Sequence, residues 1–371
     1  MNKPFIGVQG KDSLLALFES GFLVANGIHG VDNDTVDIGL LSEGWISNEP
    51  FASTGDLNRV RHGKAVSLEK LVLRPGETLT AMAKVSLNLL PPYYAFFSPR
   101  SRMARVGVKP TVHVEGFSQM NWAYSNSGVS RKMLVSVTSR IPVTGLDKVP
   151  LFQMRVFSAD TRVDYKSMMG IMSEGHDLLI NPKNGKPIAR EKQLKDIDRD
   201  GKLVSRLHLQ KGVTGFKLKK KTPVLDLSRT GQPWDDYFEP VFAKSDDTGK
   251  LFVDLSGAEY YLFITELGLN IPRGYVASLE QLDARLVEAV IHFAEYFGHM
   301  FKGAATLEVV PIASAIRVYQ GTPVGAFRLE RIDPSAPTYS GFSVNQHHLP
   351  QLPPMVTMPK FDDSLVIAAK K

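Results

Sequence analysis

The sequence lacks cysteine altogether: none of its 371 residues carries a thiol. This absence excludes disulfide bonds and every metal site that depends on thiolate ligands. It also excludes the zinc-dependent nucleobase deaminases, because those enzymes hold their zinc ion with a Cys-x-x-Cys pair. The chain must therefore be stabilised by its own core, for which its hydrophobic content of 43% is ample.

Long apolar runs are missing as well. No stretch approaches the roughly 20 residues that a helix needs to span a bilayer, and the N-terminal MNKPFIGVQGKD does not have the pattern of a signal peptide. We therefore expect a cytoplasmic protein without a membrane partner. Acidic residues are fewer than basic ones, 38 against 44, and the formal net charge is +6. This charge favours anionic partners, and both nucleotides and nucleic acid satisfy it.

Long amphipathic helices are the third feature that the sequence has little of. Apolar residues at helical spacing predict one short helix within residues 11–23. From Val66 to Phe157 the chain alternates short strand-like segments with Gly, Pro, Asn and Ser. Together with the 30 glycines and 23 prolines, this pattern predicts a mainly β protein, a sandwich or barrel with a few short helices.

The second half of the sequence repeats the pattern of the first. At an offset of 181 residues, the segment PGETLTAMAKVSLNLLPPYY aligns without gaps with a segment of the second half, and Tyr94 corresponds to Tyr275. Further along the chain, a second pair of strand-like segments aligns at an offset of 172 residues. This pair places Ser136 of the first half opposite Glu308 of the second.

The repeat predicts two similar domains. We assign residues 1–182 to the N-terminal repeat and residues 206–371 to the C-terminal repeat. Between them, residues 183–205 form a charged segment with almost no large apolar residue up to position 202. Such a composition cannot bury much surface, and we predict an exposed loop or linker.

A basic cluster follows the strand-like segment Tyr93–Phe97. Its residues are Arg100, Ser101, Arg102, Met103, Ala104 and Arg105. Two arginines five positions apart beside a hydroxyl suit a polyphosphate, because guanidinium groups bind phosphate oxygens through paired charge-assisted hydrogen bonds. The competing interpretation is a solvated basic turn.

The second half has no such cluster, but it carries Glu308 in the apolar strand-like run AATLEVV. An ionisable group in an otherwise apolar strand tends to mark a functional site, which makes Glu308 a candidate site residue. The competing interpretation is a structural carboxylate that pairs with a neighbouring arginine. Each half thus holds a feature that the other has lost.

These motifs resemble those of dCTP deaminases and the related dUTPases. RSRMARVG resembles the Arg-Ser-Ser-Leu-Ala-Arg-Leu-Gly motif of dCTP deaminases, and NDTVDIGL and LRPGETLTA resemble two upstream segments of the same family. The second half resembles the C-terminal copy of the long, internally duplicated bacterial dCTP deaminases. The matching pieces are DYFEPV, HFAEYF, TLEVVP and VGAFRLERI.

The resemblance implies a dUTPase-like β-barrel or jelly roll, internally duplicated and assembled as a trimer with active sites at subunit contacts. It implies zinc-free deamination, in which a glutamate activates the water that attacks C4 of cytosine. That glutamate falls on Glu308. The arginine-serine motif, which handles phosphates and helps the chemistry, falls on Arg100, Ser101 and Arg105.

The resemblance also implies a deoxycytidine nucleotide as substrate, with Mg²⁺ bound to its triphosphate rather than to a metal site of the protein. Gln346 falls in the C-terminal phosphate-binding segment, which stands here as Ser343-Val344-Asn345-Gln346. A nucleic acid partner is not expected.

The chain departs from the family pattern in the C-terminal phosphate segment just described and at two further places. Arg102 stands where the family has its second serine, and the Asp-Pro-Gly expected near the sugar becomes Gly298-His299-Met300 in the second half. Two other functions therefore remain open. One is a dUTP-type pyrophosphatase, whose chemistry requires an aspartate near the sugar. The other is a catalytically silent homologue that binds nucleotides or serves as an oligomeric scaffold.

Overall fold

The computed structural model describes residues 7–21, 23–25, 30–32, 34–48, 57, 63–124, 129–281, 296–333 and 349–357. Its helices are few and short. They are α1 (Lys11–Glu19), α2 (Ser101–Ala104), α3 (Tyr165–Ser173) and α4 (Arg190–Lys195), with 3-10 turns at Leu68–Lys70 and Trp234–Asp236. Within these residues, no helix combines the length and the apolar character that crossing a membrane requires.

Strands make up most of the regular structure. In the first half they are β1 (Leu23–Ala25), β2 (Gly30–Val31), β3 (Val36–Ile38), β4 (Leu40–Ser47), β5 (Lys64–Ser67), β6 (Thr78–Ala83), β7 (Val85–Leu87), β8 (Tyr94–Pro99), β9 (Val108–Val114), β10 (Trp122–Tyr124), β11 (Met133–Ser139), β12 (Val143–Thr144), β13 (Phe152–Phe157) and β14 (Leu179–Ile180). In the second half they are β15 (Leu203–His208), β16 (Val213–Leu218), β17 (Leu225–Asp226), β18 (Phe238–Phe242), β19 (Lys244–Ser245), β20 (Leu251–Ser256), β21 (Tyr261–Thr265), β22 (Gly268–Asn270), β23 (Tyr275–Glu280), β24 (Tyr296–Phe297), β25 (Lys302–Gly303), β26 (Thr306–Val309), β27 (Ala315–Tyr319) and β28 (Pro323–Arg331). The predicted mainly β class is confirmed.

The larger sheets are each built from the strands of one half, whereas two small sheets join strands of both halves. The first half contains two five-stranded sheets, in the orders β10-β8-β13-β3-β2 and β5-β4-β6-β11-β9. The second half is built on an eight-stranded sheet in the order β18-β16-β21-β15-β28-β23-β24, with β26 paired to β21. Smaller sheets are β1-β7, β12-β17, β14-β22-β25 and β19-β20-β27.

The pairing of strands repeats between the halves. In the first half β6 pairs with β11 and β8 with β13, both antiparallel. In the second half β21 pairs with β26 and β23 with β28 in the same way. The six-residue strands β8 and β23 begin at Tyr94 and Tyr275, the two residues that the sequence repeat aligns. The internal duplication is therefore confirmed, whereas the domain boundaries at 182 and 206 stay predictions.

The hydrophobic core of the first repeat extends into the second. Its buried residues include Phe216 of β16 and Leu262 of β21, together with Tyr260 just before β21. A separate core cluster fills the second repeat and contains Leu207, Phe263 and Phe327. Because the two repeats share apolar contacts, side chains of one repeat can be held at fixed positions against the other.

The segment 183–205 differs from the predicted exposed loop or linker. It contains α4, whose Gln193 is fully buried, and its last residues already belong to β15. The Gln193 side chain accepts hydrogen bonds from the backbone N–H groups of Leu178 (3.0 Å) and Leu179 (3.1 Å) and donates one to the carbonyl of Ile188 (2.6 Å). One buried amide thus fixes the segment to its surroundings, and the charge pattern around it does not reveal this role.

Candidate active site

The basic cluster forms a tight turn at the end of β8. The N–H groups of Met103 and Ala104 donate to the carbonyl of Arg100 at 2.8 and 3.0 Å, and Met103 and Ala104 are buried. Ser101, at the start of α2, is exposed. Gly107 ends the turn with φ 72°, and a Cβ there would lie 2.7 Å from the Cβ of Arg140. This position therefore requires glycine.

Arg100 is held by two neighbouring strands. Its Nη1 lies 2.8 Å from the carboxylate of Asp37 in β3 and 3.3 Å from the side-chain oxygen of Gln153 in β13. Burial raises the pKa of Asp37, and the charge of Arg100 acts in the opposite direction. Arg100 therefore has a protein carboxylate as its partner, and a phosphate would share or displace this contact.

Arg102 adds a third guanidinium to the cluster. Burial lowers its pKa, and the charge of Arg100 acts in the same direction. Its Nε atom is buried and has no hydrogen-bond partner among the described residues. The cluster therefore carries one more positive charge than it would with the family's serine at position 102.

Glu308 lies in β26 opposite Leu262 of β21, and only 1% of the residue is exposed. At the corresponding position of the first repeat, β11 carries Ser136, which is buried as well. Ser136 lies 3.0 Å from Nε2 of His113, whose pKa burial lowers to about 4. The first repeat therefore has a neutral serine and histidine pair where the second repeat has a carboxylate.

Tyr260 connects the basic cluster with the region of Glu308. Its hydroxyl donates a hydrogen bond to the carbonyl of Ala104 in α2. Burial raises the pKa of Tyr260 well above its ordinary value, and the charge of Glu308 raises it further, whereas the charges of Arg140 and Arg105 lower it. One tyrosine of the second repeat therefore lies within electrostatic range of both Arg105 and Glu308.

The C-terminal segment 349–357 also connects the basic cluster with the strand that carries Glu308. Arg105 donates from Nη1 to the side-chain oxygen of Gln351 at 3.5 Å, and the N–H of Gln351 donates to the hydroxyl of Thr306 at 3.2 Å. Thr306 begins β26, the strand that carries Glu308. The predicted residue Gln346 lies outside the described residues, and Gln351 is the glutamine that contacts the cluster here.

A basic cavity of about 610 Å³ borders this region. It is lined by Gly107 and Tyr260 and by four basic side chains against two acidic ones. The basic residues are Lys109, Arg140, Lys219 and Lys220, and the acidic ones are Glu77 and Glu259. The excess of positive charge suits an anionic ligand.

The upstream NDTVDIGL motif contacts the second repeat rather than the basic cluster alone. Its Asp34 is buried, accepts a hydrogen bond from the hydroxyl of Tyr296 and lies 3.4 Å from the backbone nitrogen of His299. Burial raises the pKa of Asp34. Nε2 of His299 in turn accepts a hydrogen bond from the N–H of Gly274 at 3.0 Å. The place of the family's Asp-Pro-Gly is thus occupied by a buried structural histidine.

The structure thus brings Arg105 and Glu308 into one region around Tyr260, and it places Ser101 at the surface of α2 and Arg100 against Asp37. Sequence reasoning missed Tyr260 and Gln351. Tyr260 and Tyr261 are adjacent in the sequence, and no local signal distinguishes the two rings. Among the described residues there is no group of three or more His, Asp or Glu side chains placed to hold a metal ion.

The fold and the site define a duplicated, mainly β protein in which a basic turn of one repeat lies near a buried glutamate of the other. Residues 179–351 match the family model of the 2'-deoxycytidine 5'-triphosphate deaminase (DCD) C-terminal domain. The chain is also similar in structure to 2'-deoxycytidine 5'-triphosphate deaminase from Agrobacterium tumefaciens, with a TM-score of 0.75 and 19% identity over 89% of this chain and 98% of that chain. Comparison with curated protein sequences gives no match.

The resemblance stated from the motifs is therefore confirmed. Residues 179–351 match the dCTP deaminase C-terminal domain, and the chain as a whole shares its fold with the Agrobacterium tumefaciens enzyme.

Proposed function

We propose that the chain deaminates dCTP to dUTP without zinc, with Glu308 as the general base. The observation that carries the proposal is Tyr260, which is bonded to the arginine motif and lies within electrostatic range of Glu308. The family match of the second repeat and the structural similarity to a dCTP deaminase support the same activity.

In this proposal Glu308 accepts a proton from the water that attacks C4 of the cytosine ring. The proton then passes to the exocyclic amine, which leaves as ammonia, and the C4 carbonyl of uracil forms. One water is consumed and one ammonia is released, so the reaction balances without an oxidant or a metal-bound hydroxide. The low exposure of Glu308 keeps bulk water away from the reacting carboxylate.

Arg100, Ser101 and Arg105 bind the triphosphate in this proposal, and Ser101 and Arg105 also assist the reaction. Mg²⁺ enters as part of the nucleotide and neutralises some of its charge. The basic cavity beside Tyr260 supports an anionic ligand in this region, because its described lining carries four cations and two carboxylates, but the three proposed phosphate-binding residues lie outside that lining. Gln346 is proposed to contact the phosphates from the C-terminal segment.

The dUTP-type pyrophosphatase is the less favoured function. It requires an aspartate near the sugar, and Gly298 stands at that position in the second repeat, beside the buried His299. A trimer remains part of the proposal, although the arginine motif and Glu308 already approach each other within one chain. Light scattering should give three times the chain mass, and a stable monomer at micromolar concentration would contradict the trimer.

The test of the activity is incubation of the purified chain with dCTP and Mg²⁺, followed by assays for dUTP, dUMP and ammonia. Glu308→Gln should abolish deamination and still bind dCTP, because the amide keeps the shape but cannot accept the proton. Ser136→Ala is the matched control at the same strand position of the other repeat and should keep full turnover. Arg105→Ala should instead weaken dCTP binding by roughly 1.5–3 kcal/mol, the contribution of a charge-assisted hydrogen bond.

Each outcome discriminates between the functions. Full activity of Glu308→Gln would show that the proposed base is wrong. Release of dUMP and pyrophosphate from dUTP, without ammonia from dCTP, would identify the pyrophosphatase. Binding of dCTP by the wild-type chain without any turnover would identify the silent homologue.

A further inference from the structure

A second cavity lies between the two repeats, away from the candidate active site. Its volume is about 670 Å³, within the range of roughly 300–1,000 Å³ that is typical of small-molecule sites. Its walls come from β8, β10 and β13 of the first repeat and from β23 and β28 of the second. None of Arg100, Ser101, Arg105 and Glu308 lines it.

One wall of this inter-repeat cavity is aromatic. The strand register places Tyr94 between Phe157 and Tyr124, and it places Phe96 beside Trp122. All five rings line the cavity. The rings of Tyr94 and Phe157 are 4.9 Å apart with planes 6° from parallel, and those of Trp122 and Tyr124 are 6.3 Å apart at 10°. The wall therefore offers nearly parallel ring faces to a flat ligand.

The ring of Tyr124 is the most accessible part of this wall. Its residue is 47% exposed, although three other rings lie within 6.3 Å of it. An exposed aromatic beside a cavity gains favourable burial when a planar molecule stacks on it. Among the five rings, substitution of Tyr124 should therefore have the clearest effect on the binding of a stacked ligand.

The rest of the lining is polar, and its charged groups are already paired. Arg155 contacts Glu330 at 2.7 Å, and Arg162 makes two hydrogen bonds of 2.8 and 2.7 Å to Asp160. Glu280 is paired with Lys202 at 2.9 Å and Arg328 at 2.7 Å, two residues that do not line the cavity. Among the described residues, the lining carries three carboxylates and two guanidinium groups, a formal charge of −1.

This charge distribution selects against phosphate. A triphosphate would find no unpaired guanidinium group in the described lining, because Arg155 and Arg162 already have carboxylate partners. A neutral ring with N–H groups meets acceptors instead, because the lining contains carboxylate oxygens and the Gln281 side chain. The described lining of the basic cavity beside Tyr260 has a net positive charge, whereas that of the inter-repeat cavity is net negative.

We propose that the inter-repeat cavity is a second ligand site that binds a flat, uncharged nitrogen heterocycle, as a free base or a nucleoside without phosphate, stacked on Trp122 and Tyr124. This site is separate from the proposed catalytic site and does not depend on deaminase activity. Because residues of both repeats line the cavity, an occupant contacts both repeats.

The experiment is calorimetric titration of the full chain carrying Arg105→Ala, which weakens the phosphate contacts of the proposed active site. The probes are adenosine, guanosine, cytidine and thymidine, their free bases and their triphosphates. We expect at least one base or nucleoside to bind with a dissociation constant below about 1 mM. The triphosphate of the same base should bind at least about tenfold more weakly, as expected for one unfavourable charge interaction near a protein surface.

The variant Tyr124→Ala tests the stacking directly, and Tyr165→Ala is its matched control. Tyr165 is 45% exposed, close to the 47% of Tyr124, but it lies in α3 and does not line the cavity. Tyr124→Ala should raise the dissociation constant about tenfold, in the range seen when a stacked aromatic is removed, and Tyr165→Ala should leave it unchanged. Glu280→Gln removes one carboxylate charge and should narrow the preference for nucleoside over triphosphate.

Three results would overturn the proposal. They are the absence of binding by every base and nucleoside, equal effects of Tyr124→Ala and Tyr165→Ala, and triphosphates that bind as tightly as nucleosides. Because these titrations do not measure turnover, a failure here leaves the deaminase proposal untouched. Loss of deamination with intact nucleoside binding would contradict only the deaminase proposal.

Discussion

The hydroxyl of Tyr260 donates to the carbonyl of Ala104, across 156 positions of sequence. This hydrogen bond joins the second repeat to the turn that carries the arginine motif. Tyr260 is only 2% exposed, and no solvent is at hand to replace the donor if the hydroxyl is removed. The placement of Arg105 relative to Glu308 therefore depends on a residue that touches neither reacting group in the proposed mechanism.

Tyr260→Phe should lower the free energy of unfolding by about 0.5–1.5 kcal/mol, because the buried carbonyl of Ala104 then keeps only its hydrogen bond from the N–H of Gly107 (2.8 Å). It should also raise KM for dCTP more than it lowers kcat, since the arginine turn is less well positioned. Urea denaturation and steady-state kinetics measure the two effects. Tyr237→Phe is the control: its hydroxyl lies 3.3 Å from Gln232 and its residue is 3% exposed. An equal rise in KM for both variants would argue against a positioning role.

Arg155 and Glu330 form a buried ion pair between the repeats, with side chains 3% and 11% exposed. Arg155→Met should cost about 3–5 kcal/mol of unfolding free energy, because Glu330 is left buried without its cation. Adding Glu330→Gln should recover much of this loss. The exposed pair of Arg317 and Asp254 provides the comparison, and Arg317→Met should cost less than about 1 kcal/mol. Equal losses in the two single variants would contradict the prediction.

His113 makes stability depend on pH. Burial lowers its pKa to about 4, so the unfolded chain binds a proton between about pH 6.5 and 4 that the folded chain does not. The contribution of neutral His113 is therefore complete above pH 6.5 and is lost as the pH falls. Between pH 7.5 and 5, the stability advantage of the wild type over His113→Gln should shrink by about 2 kcal/mol.

The raised pKa values of Asp34 and Asp37 affect both of these proteins and cancel in the difference. Urea denaturation at three pH values between 5 and 7.5 measures the difference in unfolding free energy between the wild type and His113→Gln. A difference that is independent of pH would show that His113 does not titrate in this range.

Gln193 fixes the charged segment between the repeats. Gln193→Ala leaves the buried N–H groups of Leu178 and Leu179 without their acceptor, and should lower the unfolding free energy by about 1–3 kcal/mol. The neighbouring exposed residue provides the control, and Lys192→Ala should change stability by less than about 0.5 kcal/mol. Thermal unfolding of the three proteins measures both effects. A Gln193→Ala variant as stable as Lys192→Ala would restore the interpretation of this segment as a free loop.

The sequence determined the class of fold and the duplication, because turn residues and strand-like runs are local signals that each repeat carries independently. The aligned residues Tyr94 and Tyr275 begin corresponding strands for this reason. The arginine motif and Glu308 could also be found from sequence, since each stands in a recognisable local pattern.

Only the tertiary structure decided which residues join these features. Tyr260 and Tyr261 are adjacent and chemically identical, yet the first bonds to α2 and the second to Glu259. Likewise Arg100 and Arg105 carry the same charge, yet Arg100 forms an ion pair with Asp37 of β3, whereas Arg105 donates a hydrogen bond to Gln351. Such contacts depend on how distant strands pack, and packing is a property of the whole core rather than of any segment that can be examined alone.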